Sequence, residues 1–217
     1  MCGRFSVNKQ QVEDWMLDNF GMEFSCQDTN DLRPTQVVST IHLSSAEPSV
    51  NYNPSLNNDP PENKDPETKK LTQLNATWGI KPQWAKKLLI NAQGETCATK
   101  KTFQQAYKFN RCLVPFSAWF EWKNLPSASQ KSKKQKYSFN SKSEQPLMMA
   151  GIWFETDDLP QLVTLTTAAN SRCADIHKRM PVIITPNNVD YWFNSDVKDL
   201  QPLIEPIASD LLSVNVC

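Results

Sequence analysis

The clearest periodic pattern lies near the start of the chain, where apolar residues recur with helical spacing. Asn8 can cap the first turn of a helix over residues 9–20, with Gln11 at its third position, and Gly21 suits its C-terminal end. The apolar residues on one face of this helix are Val12, Trp15, Met16 and Phe20. The pattern therefore predicts an amphipathic helix packed against a core.

Most other apolar runs are short and bounded by turn-forming residues, which is typical of strands. Two short helices are predicted at 101–107 and 187–193, the second capped by its asparagines. Strands are predicted at 37–42, 75–80, 88–92, 112–122, 137–140, 147–155, 161–168 and 182–185.

Two polar segments lack any periodicity and are predicted to be flexible surface loops, 57–70 and 127–136. The many strands and few long helices predict an α+β fold for a single domain over 1–217. Its sheet should be curled, mainly antiparallel and barrel-like, with a few short helices.

The composition limits the function classes. The chain has six scattered cysteines with no C-x-x-C pair and only two histidines. This pattern argues against a zinc site and against a disulfide framework, and we expect no metal or cofactor. No apolar run approaches the roughly 18 residues of a membrane span, so we expect a soluble, intracellular and monomeric protein.

The net charge is zero, but the charges are unevenly distributed. Six lysines and one arginine lie between Trp78 and Arg111 against the single acid Glu95, whereas residues 190–210 are mainly acidic. A cationic face of this kind fits a groove for a phosphate backbone. A solvated lysine surface explains the same pattern.

Cys2 directly follows Met1, and a small second residue favours removal of the initiator methionine. The exposed Cys2 would carry an α-amine and a thiol on adjacent carbons, a pair that can condense with an aldehyde to form a thiazolidine. Its amine titrates at roughly 7.7–8.0 against about 10.4 for a lysine, so a neutral nucleophilic fraction exists near neutral pH. A cysteine at a frayed terminus with no role is the alternative.

Three polar residues in strand-like or basic surroundings are further candidates. Glu121 lies among aromatic residues, where desolvation would suit it to acid–base chemistry; a solvent-facing strand carboxylate is the alternative. His177 precedes Lys178 and Arg179, an environment for an anion, although it could equally be a structural histidine. Asn91 could be a site residue or could simply turn the chain after an apolar run.

These segments together resemble the SOS-response-associated peptidase (SRAP) family, the abasic-site shield proteins. The order and spacing of the motifs match the family through nearly the whole chain. The motifs are CGRF at 2–5, WGIKPQW at 78–84, NAQGET at 91–96, RCLVP at 111–115, WFEW at 119–122, MAGIW at 149–153 and IHKRMP at 176–181.

The resemblance implies a protein that binds single-stranded DNA and crosslinks Cys2 to an abasic deoxyribose. It gives Asn91 an orienting role, Glu121 proton transfer, and His177 a contact to a phosphate or sugar hydroxyl. It also implies removal of Met1 by the protein itself, with help from the same glutamate. The residues that match the family's pocket and DNA face are Arg4, Pro34, Trp84, Lys101, Trp122, Thr166 and Arg179.

The chain departs from the family pattern at two places. Where the family has Asn-x-Ala-Pro, this chain has DLRP at 31–34, and where the family has an arginine two residues after the pocket asparagine, it has Gln93. We expect Arg33 to supply the missing positive charge from the neighbouring loop.

Other functions of Cys2 remain open on the sequence. An N-terminal-nucleophile glutamine amidotransferase also starts with Met-Cys-Gly but typically continues with Ile rather than Arg4. A cysteine peptidase could use Cys2 with His177, and a non-covalent reader of DNA would need neither. The predicted location is the bacterial cytoplasm and nucleoid, or the nucleus in a eukaryote.

Overall fold

The computed structural model describes residues 2–44, 69–125 and 133–217. The helices are α1 Lys9–Phe20, α2 Gly94–Cys97, α3 Gln104–Phe109, α4 Ser171–Ala174, α5 Val189–Asn194 and α6 Gln201–Ile204. The strands are β1 Phe5–Val7, β2 Thr29–Leu32, β3 Val37–Ser44, β4 Lys70–Trp78, β5 Asn91–Gln93, β6 Arg111–Phe116, β7 Ala118–Leu125, β8 Lys133–Ser141, β9 Leu147–Phe154, β10 Gln161–Ala168, β11 Arg179–Pro181 and β12 Leu212–Val216. Single 3₁₀ turns occupy Pro186–Asn188, Val197–Asp199 and Ser209–Leu211.

The strands form two sheets, one antiparallel and one mixed. One has the order β12-β8-β7-β1-β2, and all its pairings are antiparallel. The other has the order β11-β10-β4-β3-β6-β9, with β5 on β10, and β9 also pairs with β10 so that the sheet curls into a ring of pairings. Only β10–β4 and β10–β5 are parallel among the described strands. The α+β class and the curled, mainly antiparallel sheet are confirmed.

The predicted boundaries and caps of helix α1 are confirmed. Asn8 Oδ1 accepts a hydrogen bond from the Gln11 amide at 3.2 Å, which satisfies one of the free N–H groups of the first turn. Gly21 has a φ of 58°, the left-handed conformation that favours glycine, and its N–H donates to Leu17 O. Three of the four predicted apolar residues are buried and Phe20 packs partly against the core.

The predicted strand over 112–122 is wrong as a single element. The chain bends at Ser117, so β6 joins the ring-shaped sheet while β7 joins the other. The bend is held by the Ser117 N–H donating to Ser6 O at 2.9 Å and by Ser117 Oγ accepting from the Asn8 amide at 2.8 Å. A continuous apolar run hides this bend because both segments are buried.

Other boundaries also shifted. The strand predicted at 182–185 is replaced by the earlier strand β11, and Ile183 forms only an isolated bridge to Met149. The strand predicted at 88–92 is replaced by the shorter strand β5, and Leu89 forms an isolated bridge to Ile80. Helix α3 begins three residues later than predicted. Helix α5 follows a 3₁₀ turn, and no side chain caps either element, so the asparagine cap was wrong.

The two predicted loops are only partly within the described residues. Lys70 begins β4 and residues 57–68 lie outside the described residues. Residues 133–136 were predicted to be loop but belong to β8, where Lys133 pairs with Leu125. The pairing of β7 with β8 extends further than the lysine-rich sequence suggests. Residues 126–132 lie outside the described residues. No helix in the described part of the chain is long and apolar enough to cross a membrane.

Candidate functional site around Cys2

Cys2 lies inside the protein, with only 1% of its surface exposed, just before β1. Asn91, the first residue of β5, donates from Nδ2 to the Cys2 carbonyl oxygen at 2.8 Å. The Cys2 Sγ lies 3.9 Å from Arg4 O. Strand β5 therefore holds Cys2 in a buried position, and the alternative of a frayed terminus does not describe this position.

Glu121 and His177 are close neighbours in the candidate site. Glu121 lies in β7 with only 5% of its surface exposed, and its Oε1 is 3.8 Å from His177 Nδ1. Burial raises the pKa of Glu121, and the neighbouring His177 opposes that rise. The sequence-based alternative of a solvent-facing carboxylate is excluded by this burial.

The imidazole of His177 is held by the backbone of the next strand. The Arg179 N–H donates to His177 Nδ1 at 3.1 Å, and Nδ1 lies 3.0 Å from Arg179 O. His177 lies between α4 and β11, two residues before the strand begins, so the turn between these elements sets the position of the ring. These contacts fix the orientation of the ring, and its role toward a substrate stays a prediction.

The Cys2 thiol is kept in its neutral form. Burial raises its pKa, and the negative charge of Glu121 adds to that effect. A thiol that stays protonated at neutral pH is a weak first nucleophile. The α-amine of a mature Cys2 is therefore the better candidate for the first attack.

An open groove of about 580 Å³ leads to Glu121. It is lined by Gly3, Arg4, Arg33, Pro34, Glu121, Trp122 and Lys134. Five of these residues were predicted site residues. Gly3 and Lys134 were not, although Gly3 belongs to the CGRF motif and Lys134 carries a positive charge toward the groove from β8.

Asp31 binds both arginines of this groove. Arg4 donates from Nε and Nη2 to its two carboxylate oxygens, and Arg33 donates from Nη2 to Oδ2 at 2.6 Å. These guanidinium groups lower the pKa of Asp31 to about 2. The Arg4 guanidinium also lies 5.6 Å from the ring centroid of Trp122, within cation–π range. The cluster of two cations and one anion retains a net positive charge.

Arg179 and Thr166 lie beside this groove rather than in its lining. Arg179 donates to both carboxylate oxygens of Glu95, at 2.6 and 2.7 Å, and to Thr166 O at 2.6 Å. Thr166 is buried and its hydroxyl donates to Ala92 O at 3.3 Å. The contacts of both residues in the structure are thus structural, and their roles toward DNA stay predictions.

Trp84 and Lys101 line a second groove of about 460 Å³, together with Ile80 and Lys81. The Trp84 side chain is 68% exposed, which is unusual for a residue of this size. The loop that carries it begins at Gly79, where φ is 112° and an added Cβ would lie 2.7 Å from Leu88. An exposed indole beside lysines is a surface suited to stacking.

Another cavity, of about 810 Å³, has none of the predicted site residues in its lining. Its buried arginine, Arg111, is a structural element of the RCLVP motif. Its guanidinium donates to the carbonyl oxygens of Tyr107, Lys108, Phe193 and Ser195, near the C-terminal ends of α3 and α5. A cation there satisfies carbonyl groups that the helices leave free.

The structure thus brings together most of the residues predicted from sequence. Asp31, Glu95, Lys134 and Thr164 contact or line the site and were not predicted as site residues. Asp31 could have been found, because it is one of the positions at which the motif departs from its usual form. Within the described residues, no three His, Cys, Asp or Glu side chains are grouped in a way that could hold a metal ion.

Several known proteins are similar to this chain. The abasic site processing protein YoqW of Bacillus subtilis is 30% identical over 97% of this chain and 89% of its own length. The abasic site processing protein YedK of Escherichia coli is 33% identical over 55% of this chain and 54% of its own length. A phage-related protein from Bordetella bronchiseptica superposes with a TM-score of 0.73 at 23% identity, covering 100% of this chain and 94% of that structure, which shows a shared fold.

The family model agrees with the motif pattern and with the fold. The model for the SOS response associated peptidase (SRAP) family matches residues 1–216, which is almost the entire chain. The protein therefore belongs to the SRAP family.

Proposed function

We propose that this protein processes abasic sites in single-stranded DNA by trapping them covalently through Cys2. The observation that carries the proposal is the placement of Cys2: it is buried, and its carbonyl oxygen accepts a hydrogen bond from Asn91. The names of the relatives, abasic site processing proteins, support the same substrate.

The chemistry begins with the mature N-terminus. Hydrolysis of the Met1–Cys2 peptide bond consumes one water and releases the Cys2 amine; Glu121 is the group proposed to assist if the protein performs this step itself. The amine then attacks the aldehyde carbon of the ring-opened deoxyribose. The resulting carbinolamine loses its hydroxyl group as water to give an iminium ion, and addition of the thiol sulfur to the iminium carbon closes the thiazolidine, with the thiol proton passing to the carboxylate that protonated the leaving water.

Glu121 suits two successive proton transfers in this sequence. Because burial raises its pKa, it keeps a proton that it can donate to the hydroxyl group that leaves the carbinolamine as water, which gives an iminium ion. The carboxylate that remains can then accept the proton of the Cys2 thiol, which the raised pKa of that thiol keeps in place until the sulfur attacks. His177, 3.8 Å from Glu121, steadies the charged carboxylate and contacts the sugar or phosphate.

The cationic groove is proposed to hold the DNA backbone. Arg4, Arg33 and Lys134 face the path to Glu121, and Trp122 offers an aromatic face beside them. Trp84 and Lys101 provide a second platform for a stacked base and a phosphate. Because phosphate contacts release counterions, capture of the strand should weaken as salt rises. Binding positions the aldehyde beside the amine, and such positioning can lower the barrier by roughly 7–11 kcal/mol in the best cases.

The decisive experiment compares wild-type protein with Cys2→Ala on a single-stranded oligonucleotide treated with uracil glycosylase. Intact mass should show removal of Met1, and a denaturing gel should show a stable adduct for the wild type but not for Cys2→Ala. Cys217→Ala is the matched control, because it removes an exposed thiol elsewhere. A full adduct yield from Cys2→Ala would reject the mechanism. Binding without any adduct in the wild type would indicate a non-covalent reader instead.

A further inference from the structure

We propose that Thr164 is a positioning residue for Cys2. Its hydroxyl holds the Asn91 amide in the one orientation that lets this amide bind the Cys2 carbonyl. The inference rests on the proposed function of the site, in which an oriented Cys2 is the nucleophile.

Thr164 and Asn91 are direct partners across the parallel pairing of β10 and β5. Thr164 Oγ1 lies 2.6 Å from Asn91 Oδ1, the shorter of the two side-chain hydrogen bonds made by this asparagine. The threonine is buried, with 1% of its surface exposed. Its hydroxyl must therefore find its partners within the protein.

The backbone carbonyl of Ile90 determines which acceptor receives the Thr164 hydroxyl proton. Ile90 O is also within reach of Thr164 Oγ1, at 3.3 Å. That oxygen already accepts from the Thr164 backbone N–H at 3.1 Å and from Trp78 Nε1 at 3.0 Å, which occupies its two lone pairs. The hydroxyl proton is thus directed to Asn91 Oδ1.

This donor sets the orientation of the Asn91 amide. With Oδ1 toward Thr164, the Nδ2 group faces the Cys2 carbonyl and donates to it at 2.8 Å. The flipped amide would place Oδ1 against the Cys2 oxygen, two acceptors without a proton between them. Thr164 therefore acts on Cys2 only through Asn91, as one relay from β10 to β5 to the N-terminal segment.

The test uses two substitutions that differ only in the hydroxyl. Thr164→Ser should crosslink an abasic oligonucleotide at close to the wild-type rate, whereas Thr164→Ala should be about 3- to 10-fold slower, the effect of one hydrogen bond. Adding Thr164→Ala to Asn91→Ala should cause no further loss, because both changes break the same relay. The matched control pair is Thr167→Ser and Thr167→Ala, which lie on the same strand, are equally buried and face the other side.

A second readout does not need DNA. The side-chain amide protons of Asn91 should exchange slowly with solvent, by NMR, in the wild type and Thr164→Ser, and faster in Thr164→Ala. Thr164→Val, which keeps the volume, replaces the alanine variant if that variant does not fold. Equal crosslinking and equal exchange in the serine and alanine variants would overturn the inference. A wild type that forms no adduct but shows the exchange difference would instead count against the proposed function alone.

Discussion

Glu121 and His177 face each other across the candidate site, with Glu121 Oε1 lying 3.8 Å from His177 Nδ1. The carboxylate is buried and the imidazole is partly exposed, so the pair joins the interior of β7 to the open groove. Because burial raises the pKa of the Glu121 carboxyl, the protonation state of this acid, and therefore its reactivity, depends on pH.

The first prediction concerns the pH dependence of crosslinking. Because the pKa of Glu121 is raised, its acid form persists above the ordinary glutamate value of about 4.3 and is lost as pH rises through the raised pKa. The crosslinking rate of the wild type should therefore fall as the pH rises above the pKa of Glu121. Glu121→Gln should not show this fall at high pH, and its crosslinking rate should be lower by about 100-fold or more. Single-turnover rates across pH measure both, and an unchanged profile in the variant would remove Glu121 from the mechanism.

The second prediction concerns stability and the same residue. The folded state binds the Glu121 proton more tightly than the unfolded chain, so the free energy of unfolding of the wild type should decrease as pH rises from about 4.3 through the raised pKa. Glu121→Gln has no such proton. Its stability relative to the wild type should therefore increase with pH, as measured by urea unfolding at several pH values. A constant difference would contradict the raised pKa.

The third prediction concerns the carboxylate that binds two arginines. Asp31→Asn should free Arg4 and Arg33 for phosphates, so the affinity for single-stranded DNA and the steepness of its salt dependence should both increase. Because the pKa of Asp31 is about 2, its charge persists at all pH values used for such assays. Asp14→Asn, the same change on exposed α1, is the control. Equal effects of the two changes would show that only net charge matters.

The fourth prediction concerns Arg33, whose charge we expect to replace the arginine absent at Gln93. Gln93 is exposed at the end of β5 and does not line the groove that Arg33 lines. Arg33→Ala should weaken binding of single-stranded DNA and lower the salt slope by about 0.7 per lost phosphate contact. Adding Gln93→Arg should restore both. Lys198→Ala removes an equal charge at another cavity and should change neither. Unchanged affinity and salt slope for Arg33→Ala would disprove the compensation.

The fifth prediction concerns the ion pair of Glu95 and Arg179. Arg179 lowers the pKa of Glu95. The ion pair therefore stabilises the fold at pH values above the ordinary glutamate pKa, and this stabilisation is lost as the pH falls through the lowered pKa. Glu95→Gln should reduce the free energy of unfolding by about 1 kcal/mol at neutral pH, a small value because Glu95 is partly exposed. The loss should shrink below about pH 4. A loss that is independent of pH would show that packing, not charge, is responsible.

Local patterns in the sequence were sufficient for features whose physics is local. Helix α1 was predicted with its caps because the asparagine at its start and the glycine at its end act within a single turn. Glu121 was identified because three aromatic residues surround it in the chain, and desolvation follows from such neighbours. The bend at Ser117 was missed because its hydrogen bonds run to Ser6 and Asn8, more than a hundred residues away.

The sequence by itself determined the reactive groups of this protein: a cysteine behind the initiator methionine, a glutamate among aromatics, a histidine among cations, and the family to which their spacing belongs. Only the tertiary structure decided how those groups are held. Thr164 meets Asn91 because two parallel strands place them in register, and Asp31 meets Arg4 because β1 and β2 pair antiparallel. Such contacts join residues separated by 73 and 27 positions, and no local pattern encodes which distant partner a side chain will find.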